Sequence, residues 1–188
     1  MANIYIGLMS GTSADSIDCA VLDLSSKKIK VIGCKNFEIP KDLKADIIDS
    51  SQSKELEQVL IDDLDFKMAE VLVDCVKEAI ADFNINFKDI KAIGSHGQTI
   101  KHQPKSKVPF SLQVGDPQKI SNDLKIETIG NFRNDDIQSG GEGAPLTPIF
   151  HETVFASDKK RKAIVNIGGI TNITVLDYPE EIGFDTGP

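Results

Sequence analysis

The fold of this chain is decided by residues 7–18, which read Gly7-Leu8-Met9-Ser10-Gly11-Thr12-Ser13-Ala14-Asp15-Ser16-Ile17-Asp18. An apolar, β-prone run at residues 4–9 leads into the polar part of this stretch. A run at residues 17–24, which alternates apolar and polar side chains, leads out of it. The connection between these two runs is rich in Ser, Gly, Thr and Asp. This pattern predicts a β-hairpin whose turn carries many polar groups.

The turn of this hairpin offers groups that suit a phosphate or a metal ion. Glycine lets a backbone approach a ligand closely, backbone N–H groups and hydroxyls can surround phosphate oxygens, and a carboxylate can reach a metal ion or its waters. The turn is neither a Walker A loop nor a dinucleotide fingerprint, because it lacks their glycine spacing and the P-loop lysine. The alternative interpretation is a hairpin turn made of turn-favouring residues, without a ligand.

Composition predicts a globular protein of one domain, or of one domain and part of another. The 188 residues are 40% hydrophobic and 27% charged. With 29 acidic against 21 basic residues the net charge is −8, and no basic stripe with aromatic residues is present, so nucleic acid is not expected as a partner. No apolar run approaches the roughly 18 residues of a membrane span, and no secretory signal begins the chain. We therefore expect a cytoplasmic protein without membrane association.

The three cysteines Cys19, Cys34 and Cys75 are odd in number, widely spaced and embedded in apolar patterns. This arrangement predicts small buried side chains in a reducing compartment rather than disulfides.

Regular structure in the first two thirds of the chain is predicted to follow a mixed α/β order. Strands are expected at residues 4–9, 17–24 and 29–39, and a further strand at 90–94. Between them, apolar residues recur at helical spacing from Leu56 to Phe83, which predicts a long amphipathic helix that covers one face of the sheet.

Further along the chain, Asp116-Pro117 predicts a helix N-cap followed by proline in the first turn of a short helix at residues 117–123. Residues 130–150 are rich in glycine and proline without periodicity, which favours a hinge or binding loop over regular structure. Strands are then expected at residues 163–167, 172–176 and 182–184, the first two as a second hairpin with Gly168-Gly169 near its turn. No helix follows to cover this sheet, a pattern typical of a domain cut off after its opening strands.

Six motifs spread over the chain carry a family resemblance. In chain order they are Gly7-Leu8-Met9-Ser10-Gly11-Thr12-Ser13-x-Asp15-x-x-Asp18, Gly94-Ser95-His96-Gly97-Gln98-Thr99, Gln113-x-Gly115-Asp116-Pro117, Phe132-Arg133-x-x-Asp136 with Gly140-Gly141-x-Gly143-Ala144-Pro145-Leu146, Asn166-Ile167-Gly168-Gly169-Ile170-x-Asn172, and Gly183-Phe184-Asp185-Thr186-Gly187-Pro188. Together they resemble the anhydro-N-acetylmuramic acid kinase family.

The resemblance implies an α/β, ribonuclease H-like (actin-like ATPase) first domain, with a mixed five-stranded sheet and flanking helices, plus the truncated start of a second such domain. The first domain is expected at residues 1–129, without its closing C-terminal element. The hinge loop and opening strands of the second domain are expected at residues 130–188.

The resemblance also implies a kinase that uses ATP and Mg²⁺ in peptidoglycan recycling. It opens the 1,6-anhydro ring of anhydro-N-acetylmuramic acid by hydrolysis and phosphorylates O6, which gives N-acetylmuramic acid 6-phosphate. Family members tend to dimerise, so the expected partners include a second copy or a chain that supplies the missing C-terminal half. The alternative is a catalytically incompetent sugar-binding or assembly domain derived from such a kinase.

In this resemblance the N-terminal turn is the cradle for the ATP phosphates, with Mg²⁺ held through water by Asp15 or Asp18 and no metal site made by protein alone. The implied phosphate and Mg²⁺ residues are Ser10, Gly11, Thr12, Ser13, Ala14, Asp15, Ser16 and Asp18. The chain departs from the family pattern at Ala14, where a bulky apolar residue is usual, and at Ser16, where glycine is usual. If glycine supplies a positive φ there, Ser16 is expected to be strained.

A water that attacks C1 of the sugar at neutral pH needs a general base. Asp185 suits this task because it is a single carboxylate at a strand end, flanked by Gly183 and Gly187, and the family's base lies in the same motif. Asp-Thr-Gly is also the signature of aspartic proteases, in which two such carboxylates share a proton. A third interpretation is a strand-end Asp that caps a turn.

Sugar contacts are expected from His96, Gln98 and Thr99, because an imidazole, an amide and hydroxyls suit hydroxyl and N-acetyl groups. His96 and His102 lack a third ligand for zinc, and His102 is expected to be a structural hydrogen-bonder. Arg133 is the expected partner of the lactyl carboxylate of the sugar. Its alternative role is a surface salt bridge with Asp136.

Overall fold

The structure is a computed structural model, which describes residues 2–26, 28–157, 160–167, 171–176 and 182–187. The chain divides into two compact units, residues 1–132 and 133–188. The predicted division into domains after residue 129 stays a prediction.

The first unit alternates strands and helices. Its elements are β1 (Ile4–Ser10), β2 (Ser16–Asp23), β3 (Lys30–Glu38), α1 (Lys41–Gln52), α2 (Gln58–Asp82), a 3₁₀ turn (Phe87–Asp89), β4 (Ile90–Ser95), β5 (Gln98–Gln103), β6 (Phe110–Val114), α3 (Pro117–Leu124) and β7 (Thr128–Ile129). The second unit contains the remaining elements, namely α4 (Phe132–Gln138, which starts at the last residue of the first unit), α5 (Pro148–Phe155), β8 (Lys162–Asn166), β9 (Thr171–Leu176) and β10 (Ile182–Gly187).

The central sheet of the first unit has the strand order β3-β2-β1-β4-β7. Strands β1, β2 and β3 are antiparallel neighbours, and β4 is parallel to both β1 and β7. A mixed five-stranded sheet with flanking helices is the predicted fold class, which is thereby confirmed. The predicted N-terminal hairpin is also confirmed, with Ser10 opposite Ile17 at its closed end.

The core of the first unit lies between this sheet and α2. Alternate residues of the strands point into it, for example Ile6 and Leu8 of β1, as the period of two along a strand requires. They pack with the apolar stripe of the long predicted helix, which includes Leu64 and Leu72. Full burial of one such side chain contributes about 1.5–3 kcal/mol to the free energy of unfolding. The hairpin that carries the turn is therefore fixed to a rigid base.

The regular structure differs from the predictions in two ways. Helix α1 and strands β5, β6 and β7 were not predicted, and β5 and β6 pair with each other in a separate hairpin. The interpretation of residues 130–150 as a loop was wrong, since α4 and the start of α5 lie within them. Helix α5 begins with Thr147 and Pro148, and proline at a first helical position has a φ that already suits a helix. The glycines of this segment instead separate the two helices.

The three cysteines differ in burial. Cys19 and Cys75 are buried as predicted, but the prediction for Cys34 was wrong, because this side chain is exposed. Cys34 lies opposite Ala20 in the β2–β3 pair, one position away from the face of the sheet that carries Cys19 and Val21 into the core. Alternation along the strand therefore turns Cys34 outward.

The second unit contains an antiparallel sheet of order β10-β9-β8, so the three predicted strands are confirmed. Helix α5 packs against β9, where His151 Nδ1 lies 2.8 Å from Thr174 Oγ1 in a buried hydrogen bond. The predicted turn at Gly168-Gly169 lies outside the described residues. In the part of the chain that the structure describes, no helix is long and apolar enough to cross a membrane.

Candidate active site

In the turn of the N-terminal hairpin, one residue is buried in the core and three are exposed to solvent. The Ala14 backbone N–H donates to the carbonyl of Gly11 over 3.0 Å, and the Ala14 side chain is fully buried. Gly11, Thr12 and Ser13 are exposed. The positive φ expected at Ser16 lies instead at Ala14, with φ 49°, while Ser16 is the first residue of β2. Core packing of the Ala14 methyl group thus holds a left-handed turn whose other residues face solvent.

Asp15 presents an exposed carboxylate beside the turn, with 69% of its side chain accessible. Lys44 of helix α1 donates from Nζ to Asp15 Oδ1 over 2.7 Å. This hydrogen bond and another from the Ser13 hydroxyl lower the pKa of Asp15, so its carboxylate is ionised at neutral pH.

Asp18 and Ser16 lie two residues apart on β2 and so share one face of the sheet. The Asn36 side chain on the neighbouring strand β3 donates to Asp18 Oδ1 and to Ser16 Oγ, each over 2.8 Å. The amide thus holds both predicted residues on the exposed side of the hairpin.

The predicted sugar motif follows β4 and lies next to the turn. The His96 backbone N–H donates to the carbonyl of Leu8 over 3.0 Å, so the motif continues the pairing between β4 and β1. Within the motif, Gln98 is fully buried and its Oε1 accepts a hydrogen bond from Ser10 Oγ. Thr99 Oγ1 accepts from the Gln113 amide over 3.1 Å. Parallel strands therefore bring together two predicted groups that are distant in sequence.

A cavity of about 340 Å³ lies in the first unit, where β4 and β7 end and α3 begins. The carboxyl ends of parallel strands are the usual place for ligands in such sheets. Its lining is mainly polar and includes Asp65, Ser95, His96, Gln113, Asp116 and Asn131. Of the predicted sugar residues of this unit, His96 lines the cavity, whereas Gln98 and Thr99 are not among its lining residues. His102 bonds to the Ser111 hydroxyl over 3.0 Å, in agreement with a structural role.

Asp65 is a cavity residue that the sequence interpretation missed. It lies on α2 and its Oδ1 accepts from the Gly115 backbone N–H over 2.7 Å. Burial raises the pKa of Asp65, since a charge is less stable away from water. Its position in the sequence could have indicated this role, because Asp65 is a charged residue between Ile61 and Met68 on the otherwise apolar stripe of α2.

Gly115 belongs to the turn that joins β6 to α3, and its conformation requires glycine. Its φ is +111°, and a Cβ at this position would lie 2.7 Å from Leu72 Cδ1 of α2. The next residue, Asp116, caps α3 as predicted, because its side chain accepts from the backbone N–H groups of Gln118 and Lys119 over 2.8 and 3.1 Å. Helix α2 and the cap together fix this wall of the cavity.

Two predicted residues, Arg133 and Asp185, belong to the second unit. Arg133 Nη1 donates to the carbonyl of Gly143 over 2.7 Å, and Asp136 Oδ2 accepts from the backbone N–H of the same glycine, also over 2.7 Å. The Asp185 backbone lies in β10 opposite Asn172, and the register of β10 with β9 shifts between Asp185 and Gly187. The side chain of Asp185 lies outside what the structure describes, so its catalytic role stays a prediction.

Among the side chains that the structure describes, no group of three His, Cys, Asp or Glu could hold a metal ion.

The family model of anhydro-N-acetylmuramic acid kinase matches residues 3–188. A curated relative of that name from Vibrio vulnificus (strain CMCP6) is 38% identical over 188 residues, which are 98% of this chain and 50% of the relative. Another, from Shewanella amazonensis, is 40% identical over 188 residues, 99% of this chain and 51% of the relative. The chain thus spans about half the length of the curated relatives it matches.

The solved structures that the chain matches include an Aquifex aeolicus member of the Ppx/GppA protein family, with a TM-score of 0.46 and 12% identity over all of this chain and 52% of the other. A reductive activator for a corrinoid, iron-sulfur protein gives a TM-score of 0.47 and 16% identity over all of this chain and 31% of the other. Both TM-scores are below 0.5. The decisive match is that of the family model, which extends over nearly the whole sequence, and the chain therefore belongs to the anhydro-N-acetylmuramic acid kinase family.

Proposed function

We propose that this chain provides the phosphate turn, sugar contacts and general base of an ATP-dependent kinase. In this reaction the 1,6-anhydro ring of anhydro-N-acetylmuramic acid is opened by water and O6 is phosphorylated. The observation that carries the proposal is the position of the exposed turn at residues 11–13, beside the motif at residues 94–99, at the ends of β1 and β4. Phosphoryl transfer requires mainly positioning and charge stabilisation, which such an edge can provide.

The exposed turn is proposed to bind the ATP phosphates through backbone groups of Gly11 to Ser13. Space for close approach supports this, because a Cβ on Gly11 would meet no atom nearer than Ser13 Oγ at 4.0 Å. The residues present also fit Mg²⁺, since Asp15 is ionised and exposed next to a hydroxyl, and Mg²⁺ prefers oxygen ligands and retained waters. When bound, Mg²⁺ neutralises charge that develops on the phosphate oxygens.

In the first unit, His96 and Thr99 are proposed as sugar contacts. For the second unit, Arg133 is proposed as the group that recognises a carboxylate of the substrate. A contact with the next residue orients the His96 ring, because His96 Nδ1 lies 2.9 Å from the carbonyl of Gly97. The hydrogen bond from Arg133 Nη1 to the carbonyl of Gly143 orients the guanidinium, and a planar guanidinium suits the lactyl carboxylate.

Asp185 is proposed to take a proton from the water that attacks C1. As the new C1–O bond forms, the C1–O6 bond breaks and O6 attacks the γ-phosphorus of ATP, so that ADP leaves. The proton on Asp185 then passes to solvent, which restores the carboxylate. The backbone register of β10 with β9 shifts between Asp185 and Gly187, and such irregularities are frequent next to active sites.

The substrate is a peptidoglycan fragment, so we place this reaction in peptidoglycan recycling in the cytoplasm. Because the chain covers half of its relatives, we propose that the adenosine side of the nucleotide site is made by residues of the uncovered half.

A coupled ADP-release assay tests the proposal. The chain is mixed with anhydro-N-acetylmuramic acid, ATP and Mg²⁺, alone and together with a second polypeptide that supplies the C-terminal half of a relative. We expect turnover with the second polypeptide, and loss of turnover but not of sugar binding in Asp185→Asn. Absence of turnover in every combination, with sugar binding retained, would instead identify a sugar-binding domain.

A further inference from the structure

The phosphate turn and the sugar motif are joined by one buried hydrogen bond. Ser10 Oγ donates to Gln98 Oε1 over 2.5 Å, between residues that are 88 apart in the sequence. Ser10 is 1% exposed and Gln98 is 0% exposed. The Gln98 amide also donates from Nε2 to the carbonyl of Thr99 over 3.1 Å. Gln98 is thus fixed at both ends inside the protein.

Ser10 stands where its hydroxyl can control the turn. It is the last residue of β1, and the exposed residues of the turn follow immediately. Its Oγ also lies 3.3 Å from the carbonyl of Ser16, the first residue of β2. The Ser10 hydroxyl therefore contacts both strands where the turn begins and ends, and its hydrogen bond to Gln98 fixes its position.

The chemistry of this pair indicates positioning rather than stabilisation. A buried polar pair contributes little net stability compared with an apolar pair of the same shape, because both groups leave water. Loss of one partner is costly, however, since the other remains unsatisfied in a medium of low dielectric constant. A buried hydrogen bond is directional, so it fixes the relative geometry of the Ser10 and Gln98 side chains, whereas an apolar contact would allow several arrangements.

We infer that Gln98 is a positioning residue, which holds Ser10 and thereby keeps the phosphate turn in register with the sugar motif. This role replaces the sugar contact predicted for Gln98, whose side chain is enclosed, while His96 and Thr99 of the same motif keep the proposed contacts. The inference deepens the proposed function and rests on it for the identity of the two ligands.

The first test uses the full chain without ligands and measures amide hydrogen exchange by NMR. The Ala14 amide is the reporter, because its hydrogen bond to Gly11 closes the turn. In Gln98→Met, which keeps the side-chain volume but removes the acceptor, protection of the Ala14 amide should fall about three- to tenfold, the equivalent of one hydrogen bond. Amides of α2 should keep their protection. Unchanged protection at Ala14 would refute the inference, as would an equal fall throughout the chain.

Two further variants keep this test decisive. Ser10→Ala should lower Ala14 protection as much as Gln98→Met, and the double variant should lower it no further, because the two changes remove the same bond. In the double variant neither member of the Ser10–Gln98 pair is left facing an unsatisfied partner in the other, so it reports on the turn even if Gln98→Met folds poorly. Additive effects would show that the two residues act independently and would reject the coupling. As a matched control, Gln113→Met removes an amide from the same β5–β6 hairpin and should leave Ala14 protection unchanged.

The second test is kinetic and uses the complemented enzyme of the ADP-release assay. Gln98→Met should raise KM for ATP and leave KM for the sugar within twofold. A rise confined to the sugar would identify Gln98 as a sugar contact and overturn the inference. Failure of the proposed function would appear as absent turnover in the unsubstituted enzyme, whereas failure of the inference would appear in the exchange data, which require no turnover.

Discussion

Replacement of Asp65 by alanine tests how the cavity wall is held. The Asp65 carboxylate accepts the Gly115 N–H over 2.7 Å and connects two segments 50 residues apart. Alanine removes the acceptor and leaves a partly buried N–H group without a partner. The cost of such an unsatisfied group is about 1–3 kcal/mol in the free energy of unfolding. Urea unfolding of the full chain, followed by circular dichroism at 222 nm, measures this loss.

The matched control is Asp74→Ala on the same helix. Asp74 is exposed and forms an i,i+3 pair with Lys77, so its loss should change stability by about 0.5 kcal/mol or less. Both substitutions place alanine in α2, and the difference between them therefore cancels the helix propensity of alanine. Equal effects of Asp65→Ala and Asp74→Ala would refute the claim that Asp65 anchors the turn.

Asp65→Asn separates the hydrogen bond from the charge. The amide oxygen of asparagine can still accept from Gly115, so this variant should avoid most of the cost of the alanine variant. Burial raises the pKa of Asp65 above its ordinary value of 3.8. The folded protein therefore holds this proton to higher pH than the unfolded chain, and wild-type stability from this group falls as pH rises through that window. Relative to wild type, Asp65→Asn should gain stability as pH rises above 3.8. A pH-independent difference would exclude this titration.

Three further outcomes are expected. Gly115→Ala should lower the free energy of unfolding by about 1–3 kcal/mol in the same urea assay, because its Cβ would overlap a side chain of α2 at an unfavourable φ; a midpoint equal to wild type would contradict the observed turn. Asp116→Ala should cost about 0.5–2 kcal/mol through loss of the α3 cap, measured as a lower thermal midpoint. In native protein at pH 8, an aromatic disulfide reagent should label Cys34 alone, since burial raises the pKa of the other two thiols to about 11 and about 12; rapid labelling of all three would show that the core is open.

The N-terminal hairpin and α2 could be predicted because their burial follows a single period. Strand β1 alternates buried Ile4, Ile6 and Leu8 with more exposed residues. Helix α1 has almost no apolar periodicity, since Leu43 and Ile47 are the buried apolar residues in its twelve positions. The sequence pattern therefore did not indicate it. Strand β6 has five residues and follows a basic, turn-like segment, so its pairing with β5 was not visible before the hairpin was known.

The residues of the candidate site stand out in the sequence as motifs, but their contacts could not be predicted from it. The partner of Asp15 is Lys44, which lies on the helix that was missed. Glutamine is usually exposed, and its type gave no indication that Gln98 would be fully buried against Ser10. Such contacts depend on the parallel pairing of β1 with β4, which no local pattern specifies.

This parallel pairing has a consequence for the order of folding. Strand β1 has a local partner in β2, whereas Ile4 meets its parallel partner Ile90 only after α1 and α2 have been traversed. Contacts between residues so distant in sequence slow folding, because the intervening chain must lose entropy before they form. The hairpin can therefore form early, while its register with the sugar motif is a late event. The Ala14 amide and the His96 amide, which donates to Leu8 of β1, would then become protected at different times during refolding, the first with the hairpin and the second with the parallel pairing, so pulsed hydrogen exchange would separate the two steps.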